Sequence, residues 1–162
     1  MISWPILLFF LAHWFLSLFC QTFFLHRYCS HSMFKMNFFW ERFFYFLTYL
    51  MQGPSYLNPR AYTILHRLHH AYSDEEKDPH SPVQNTGVVS MMLNTLKLYK
   101  DIHLGNVEVP EKFAKNTLSW NGFDEFSDRW DVRVLMGALY LLFYVFFAEH
   151  YWEFLLVPAH WF

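Results

Sequence analysis

Residues 2–31 read ISWPILLFFLAHWFLSLFCQTFFLHRYCSH, and their first 24 positions carry no formal charge before the run enters His26-Arg27-Tyr28-Cys29-Ser30-His31. As an α-helix at 1.5 Å per residue the uncharged part reaches about 36 Å, enough to cross a hydrocarbon core about 30 Å thick with some tilt. Pro5 falls in the first turns, where a missing N–H costs little. His13 reads as an interior-facing polar residue of this span. The start is expected to be a span and not a signal peptide, because it lacks a basic leading segment and a small-residue cleavage site.

The second group, His66-Arg67-Leu68-His69-His70, begins 35 residues after His31 and also follows an apolar stretch. On an α-helix its offsets of 0, +3 and +4 put all three imidazoles on one face. Neutral imidazole is a good ligand for iron, zinc or copper. His69 and His70 diverge by about 100°, which suits two metal ions better than one. His26 and His31 lie about 140° apart on a regular helix, so they converge only if the helix ends between them. His80 is expected in a turn, and His103, His150 and His160, with no clustered partner in the sequence, are expected to be structural.

Composition points the same way. Hydrophobic residues make up 54% of the 162 positions and charged residues only 16%, below the roughly 25% of an average soluble chain. A net charge of −2 gives no basic surplus for a nucleic-acid partner. Cys20 and Cys29 have neither metal-site nor disulfide-framework spacing. All 12 Lys and Arg lie between Arg27 and Arg133. By the positive-inside rule the middle of the chain faces the cytoplasm, with apolar segments on either side.

Further spans are expected at about 132–148, and the start of another at 154–162, after the polar aromatic break around Glu149, His150 and Glu153. Residues 38–57 are aromatic but broken by Gln52-Gly53-Pro54, and read as a helix at the membrane interface. A helix should restart after Pro59 and carry residues 61–72. Residues 73–88 read as an exposed acidic loop, and 89–104 as an amphipathic surface helix. The fold expected is all-α: one integral membrane domain over 1–162, with a cytoplasmic helical cap carrying the histidines.

The pattern His26-x-x-x-x-His31 then His66-x-x-His69-His70 resembles the first two histidine boxes of membrane fatty-acid desaturases. The continuation Ala71-Tyr72-Ser73-Asp74 to Asp78-Pro79-His80 is similar to the segment after the second box in acyl-CoA Δ9-type members. The resemblance is specific over about residues 20–82. It implies His26, His31, His66, His69 and His70 as ligands of two non-haem iron ions, with no catalytic residue beyond them. It further implies an acyl-CoA or acyl-lipid substrate in an enclosed tunnel, dioxygen, a ferredoxin or cytochrome b5-type electron donor and surrounding membrane lipid. Trp14, Phe24 and Tyr62 are candidates for the tunnel wall. The family's third box and the histidine before it belong downstream of a second pair of spans. The chain is therefore expected to be incomplete at its C-terminus, and activity is expected of the longer protein.

Two other readings compete. A hydroxylase or ketolase of the same histidine-box superfamily would differ in the fate of the carbon radical. The other is a non-catalytic metal- or haem-binding membrane protein, of which the haem form would need two histidines facing each other across a bundle.

Overall fold

The computed structural model describes every residue except Asp74, Glu76, Val83, Gln84 and Phe162, and it leaves out the side chain of Trp161. The expected acidic loop is thus described only in part, and Asp74 lies outside it. Among the described residues the structure is all helical: α1 (Trp4–Cys20), a π-helical stretch (Gln21–Ser30), α2 (Phe38–Gln52), a 3₁₀ turn (Gly53–Ser55), α3 (Pro59–Tyr72), α4 (Val88–Leu104), α5 (Glu111–Ala114), α6 (Phe123–Asp128), α7 (Trp130–Phe147) and a 3₁₀ helix (Tyr151–Trp161). These elements fall into two compact units.

The first unit holds Met1–Phe24, Met36–Leu57 and Trp120–Phe162. Trp4–Ser30 and Trp130–Phe147 are long and apolar enough to cross a membrane, and only 11% and 17% of their most apolar windows are buried. A soluble core helix would be mostly covered. Here Leu8, Leu11, Phe15 and Leu18 on α1, and Leu135, Leu139, Leu142 and Phe146 on α7, stand exposed. Apolar faces this large are stable against lipid and not against water.

Aromatic contacts hold the unit together. The Phe9 ring lies 4.5 Å from that of Phe143 and 5.4 Å edge-on from that of Tyr140. Tyr45, fully buried, donates its hydroxyl to Asp124 and packs against Trp120 and Phe123. Gly53 has φ +56° and faces Tyr140 so closely that a Cβ would collide with the tyrosine hydroxyl. Both the backbone angle and the contact require glycine at this break. The buried Glu153 carboxylate accepts from Ser3 N–H at 2.7 Å, Ser3 Oγ at 3.0 Å and Glu149 N–H at 3.1 Å. That carboxylate ties the start of α1 to the segment after α7.

Residues 154–161, expected to start an α-helical span, are wound as part of the 3₁₀ helix. Pro158 sits inside that helix and has no N–H to give an i→i−4 bond.

The second unit holds Leu25–Lys35 and Asn58–Ser119. Asn58 starts α3, its side chain accepting from Arg60 N–H at 3.0 Å and Ala61 N–H at 3.2 Å, and Pro59 occupies the first turn. These are the residue types that satisfy a helix N-terminus. Ala61 and Ile64 of α3, Ile102 of α4 and Phe113 of α5 form the core, joined by Leu68, Leu98 and Tyr99. Each large apolar side chain buried this way contributes about 1.5–3 kcal/mol. Gly105, at φ +72°, ends α4, and Asn106 N–H returns to Asp101 O at 2.8 Å.

Candidate metal centre

The first box is shaped by the π-helical stretch. His31 N–H donates to His26 O at 3.1 Å, an i→i+5 bond, and the Ser30 hydroxyl donates to Leu25 O at 2.8 Å. Ser32, at φ +52°, then stops the helix. In an α-helix His26 and His31 point 140° apart. The wider π winding brings residues five apart onto one face, and their rings lie 4.7 Å apart. The expectation that only a helix end between them could make them converge is therefore corrected: the helix continues, wound differently.

The second box lies on α3, which places His66 and His70 one turn apart on one face. His66 Nε2 is 3.0 Å from His31 Nε2 and 3.1 Å from His70 Nε2. One donor atom from each of His26, His31, His66 and His70 falls within 4.8 Å of the others. Nitrogens bound to one tetrahedral ion at 2.0–2.1 Å stand about 3.4 Å apart, so these contacts have the scale of a shared coordination sphere.

His69 faces elsewhere. Its Nδ1 lies 2.8 Å from Oδ1 of Asp78, whose side chain is fully buried. The same oxygen accepts His80 N–H at 2.9 Å. A carboxylate accepts from Nδ1–H and so leaves the Nε2 lone pair of His69 available. His80 lies in the turn, its Nδ1 3.1 Å from Thr95 Oγ1. His103 stacks on Tyr99 with ring centroids 6.1 Å apart.

Protonation favours ligation. Desolvation, reinforced by His26, His70, His31 and His69, pulls His66 down to about 4. Desolvation, with His26, His70 and Arg67 adding to it, lowers His31 as well. Neutral imidazoles with free lone pairs are the form a metal requires.

Two residues of this centre are not marked by histidine spacing. Asp78 orients His69 and also accepts the N–H two residues on, an Asx-type bond; the sequence marks it only through the resemblance of Asp78-Pro79-His80. Arg67 spends its guanidinium on backbone: Nε donates to Ser30 O at 3.1 Å, Nη1 to Phe113 O at 3.1 Å and Lys115 O at 2.8 Å, and Nη2 to Cys29 O at 3.4 Å. These bonds cap the last carbonyls of the π stretch.

The residues fit a histidine-ligated metal, and comparison with known proteins agrees. Residues 2–162 match the family model described as fatty acid desaturase. The chain belongs to the fatty acid desaturase family. Curated desaturase relatives come from Arabidopsis thaliana. Delta-9 desaturase-like 5 protein is 36% identical over 64 residues, 39% of this chain and 20% of the relative. Delta-9 desaturase-like 2 protein is 36% identical over 66 residues, 40% and 21%. Delta-9 desaturase-like 4 protein is 35% identical over 84 residues, 49% and 26%. The chain thus spans about a fifth to a quarter of the length of the curated relatives it matches. No solved structure matches. With the two apolar helices, the family makes this a membrane protein of desaturase type.

Proposed function

We propose that this chain carries the first two histidine boxes of an O2-dependent di-iron fatty-acid desaturase, which places a cis double bond in a saturated acyl chain held as acyl-CoA or acyl-lipid. The observation that carries the reading is the convergence of His26 and His31 with His66 and His70, two segments separated by 35 residues in sequence. When bound, a pair of non-haem irons supplies the oxygen-dependent removal of two hydrogens, with electrons from a ferredoxin or cytochrome b5-type donor.

In this mechanism His26, His31, His66 and His70 would hold the metal, and His69, with its Nδ1–H fixed by Asp78, would offer its Nε2. Arg67 locks the first box to the α5 region, so the ligands are ordered before metal arrives. The crowding at 3.0 Å between His31 and His66 favours bare ions over haem, because it leaves no slot for a macrocycle between facing imidazoles. The boxes are assigned to the cytoplasmic side on the distribution of Lys and Arg.

The test is iron content by mass spectrometry, together with fatty-acid profiles of cells expressing the complete protein. Two irons per chain and a new monounsaturated acid are expected. A Soret band, or a hydroxylated product in place of the alkene, would overturn the reading.

A further inference from the structure

Within the second unit, α4 grips the turn that carries Asp78 through one peptide unit. Thr95 of α4 donates its hydroxyl to Pro79 O at 2.8 Å, and the N–H of that same peptide, belonging to His80, goes to Asp78 Oδ1 at 2.9 Å. Across a trans peptide the C=O and N–H point opposite ways, so this plane is held on both edges. Asp78 Oδ1 also lies 2.8 Å from His69 Nδ1. A continuous chain of hydrogen bonds thus runs from Thr95, through the Pro79–His80 peptide and the Asp78 carboxylate, to the imidazole of His69.

The groups themselves set the direction of the first two links, because a carbonyl oxygen only accepts and a backbone N–H only donates. Met91 O stands 2.8 Å from the same hydroxyl. As the i−4 carbonyl it takes the helix bond from Thr95 N–H as well, so the hydroxyl proton is shared in a three-centre bond. The Asp78 side chain is fully buried and turns about two bonds. With the His80 N–H fixed from behind by Thr95, Oδ1 has one position in which it meets that donor, and His69 Nδ1–H meets it there.

A second tie joins α4 to the same loop and serves as a contrast. Asn94 Nδ2 donates to Asn85 Oδ1 at 2.7 Å, and Asn85 Nδ2 to Ser81 O at 2.7 Å. That tie fastens the loop without touching the peptide that bears on Asp78.

We propose that Thr95 is a positioning residue of the metal centre: its hydroxyl, acting through the Pro79–His80 peptide and Asp78, holds His69 in the Nδ1–H form and keeps Nε2 bare. The consequence for metal rests on the reading of His69 as a ligand; the consequence for its tautomer does not.

The first experiment is ¹⁵N-histidine NMR of the metal-free chain in lipid nanodiscs at about pH 8, above the usual histidine range, with His69→Gln to assign the signal. Wild-type His69 is expected in the Nδ1–H form. Thr95→Val, which removes the hydroxyl at nearly constant volume, should give a mixture of tautomers. Thr95→Ser keeps the hydroxyl and Asn94→Ala breaks the other tie, and both should give the wild-type signal. In the complete protein, iron retention against a graded chelator should fall about tenfold in Thr95→Val and be kept in Thr95→Ser and Asn94→Ala. Wild-type His69 protonated on Nε2, an unchanged signal in Thr95→Val, or an equal change in Asn94→Ala would overturn the role of Thr95. Thr95→Ala, a better helix former, carries the test if valine disturbs packing. Failure of every variant and the wild type to hold iron would count against the desaturase reading, while the tautomers still decide Thr95.

Discussion

Arg67 Nε donates to the carbonyl of Ser30 at 3.1 Å, so the residue directly after His66 grips the residue directly before His31. The two histidine boxes are thereby tied through backbone next to the ligands themselves. A lysine offers a point charge in place of the planar fork and cannot serve four carbonyls at once. Arg67→Lys is expected to lower metal affinity by about 10- to 100-fold, the range seen when an orienting partner is lost. Metal content after dialysis against a graded chelator measures it, and unchanged retention would remove Arg67 from this role.

His66 stands at the centre of the cluster, within 3.1 Å of two other ring nitrogens. His66→Ala and His69→Ala should each lose iron and desaturation together. His103→Ala, which removes a ring stacked on Tyr99 outside the histidine cluster, should keep both. Iron analysis beside fatty-acid profiling separates these outcomes.

Asp78 gives a graded case. Asp78→Ala frees His69 Nδ1 and should cost about tenfold or more in metal affinity, whereas Asp78→Asn keeps an acceptor oxygen and should cost less. Equal losses in the two variants would mean that the negative charge, and not the hydrogen bond, is what His69 needs.

For His66 the sign of the pH dependence is fixed by its lowered value of about 4 against an ordinary 6.5. Between those limits the unfolded chain binds more protons than the folded one, so metal-free stability falls as pH drops from 6.5 towards 4. Below about 4 this contribution levels off. Denaturant titrations of the apo protein in detergent across pH 4–7 should show the slope, and His66→Gln should flatten it.

Gly53→Ala should destabilise the first unit twice over, by the collision with Tyr140 and by a positive φ, with ψ −129°, that costs an L-residue about 1–3 kcal/mol. Gly53→Ala combined with Tyr140→Phe should recover part of the first loss, since Cζ of the ring still stands 2.9 Å from the added Cβ, and none of the second. Thermal unfolding of the two variants beside the wild type distinguishes them.

Much of this was legible in the chain because ordinary α-helical rules apply to it. Asn58 and Pro59 mark the start of α3, whose observed range Pro59–Tyr72 contains the expected 61–72, and α4 likewise answers to its apolar spacing. The uncharged run announced the first long helix but not its end. That helix continues to Ser30, because i→i+5 bonding has no characteristic pattern of apolar residues. His160 looked isolated for a related reason: its partners His13 and Tyr144 are 147 and 16 residues away, and only tertiary packing joins them.

The loosely wound segment Gln21–Ser30 also sets what kind of sequence change the first box can absorb. Most single substitutions there alter one side chain and leave the spiral intact. Deleting one residue would tighten it to the ordinary pitch and swing everything beyond through about 100°, carrying one imidazole away from the other. In this helix, chain length is a more stringent requirement than side-chain identity.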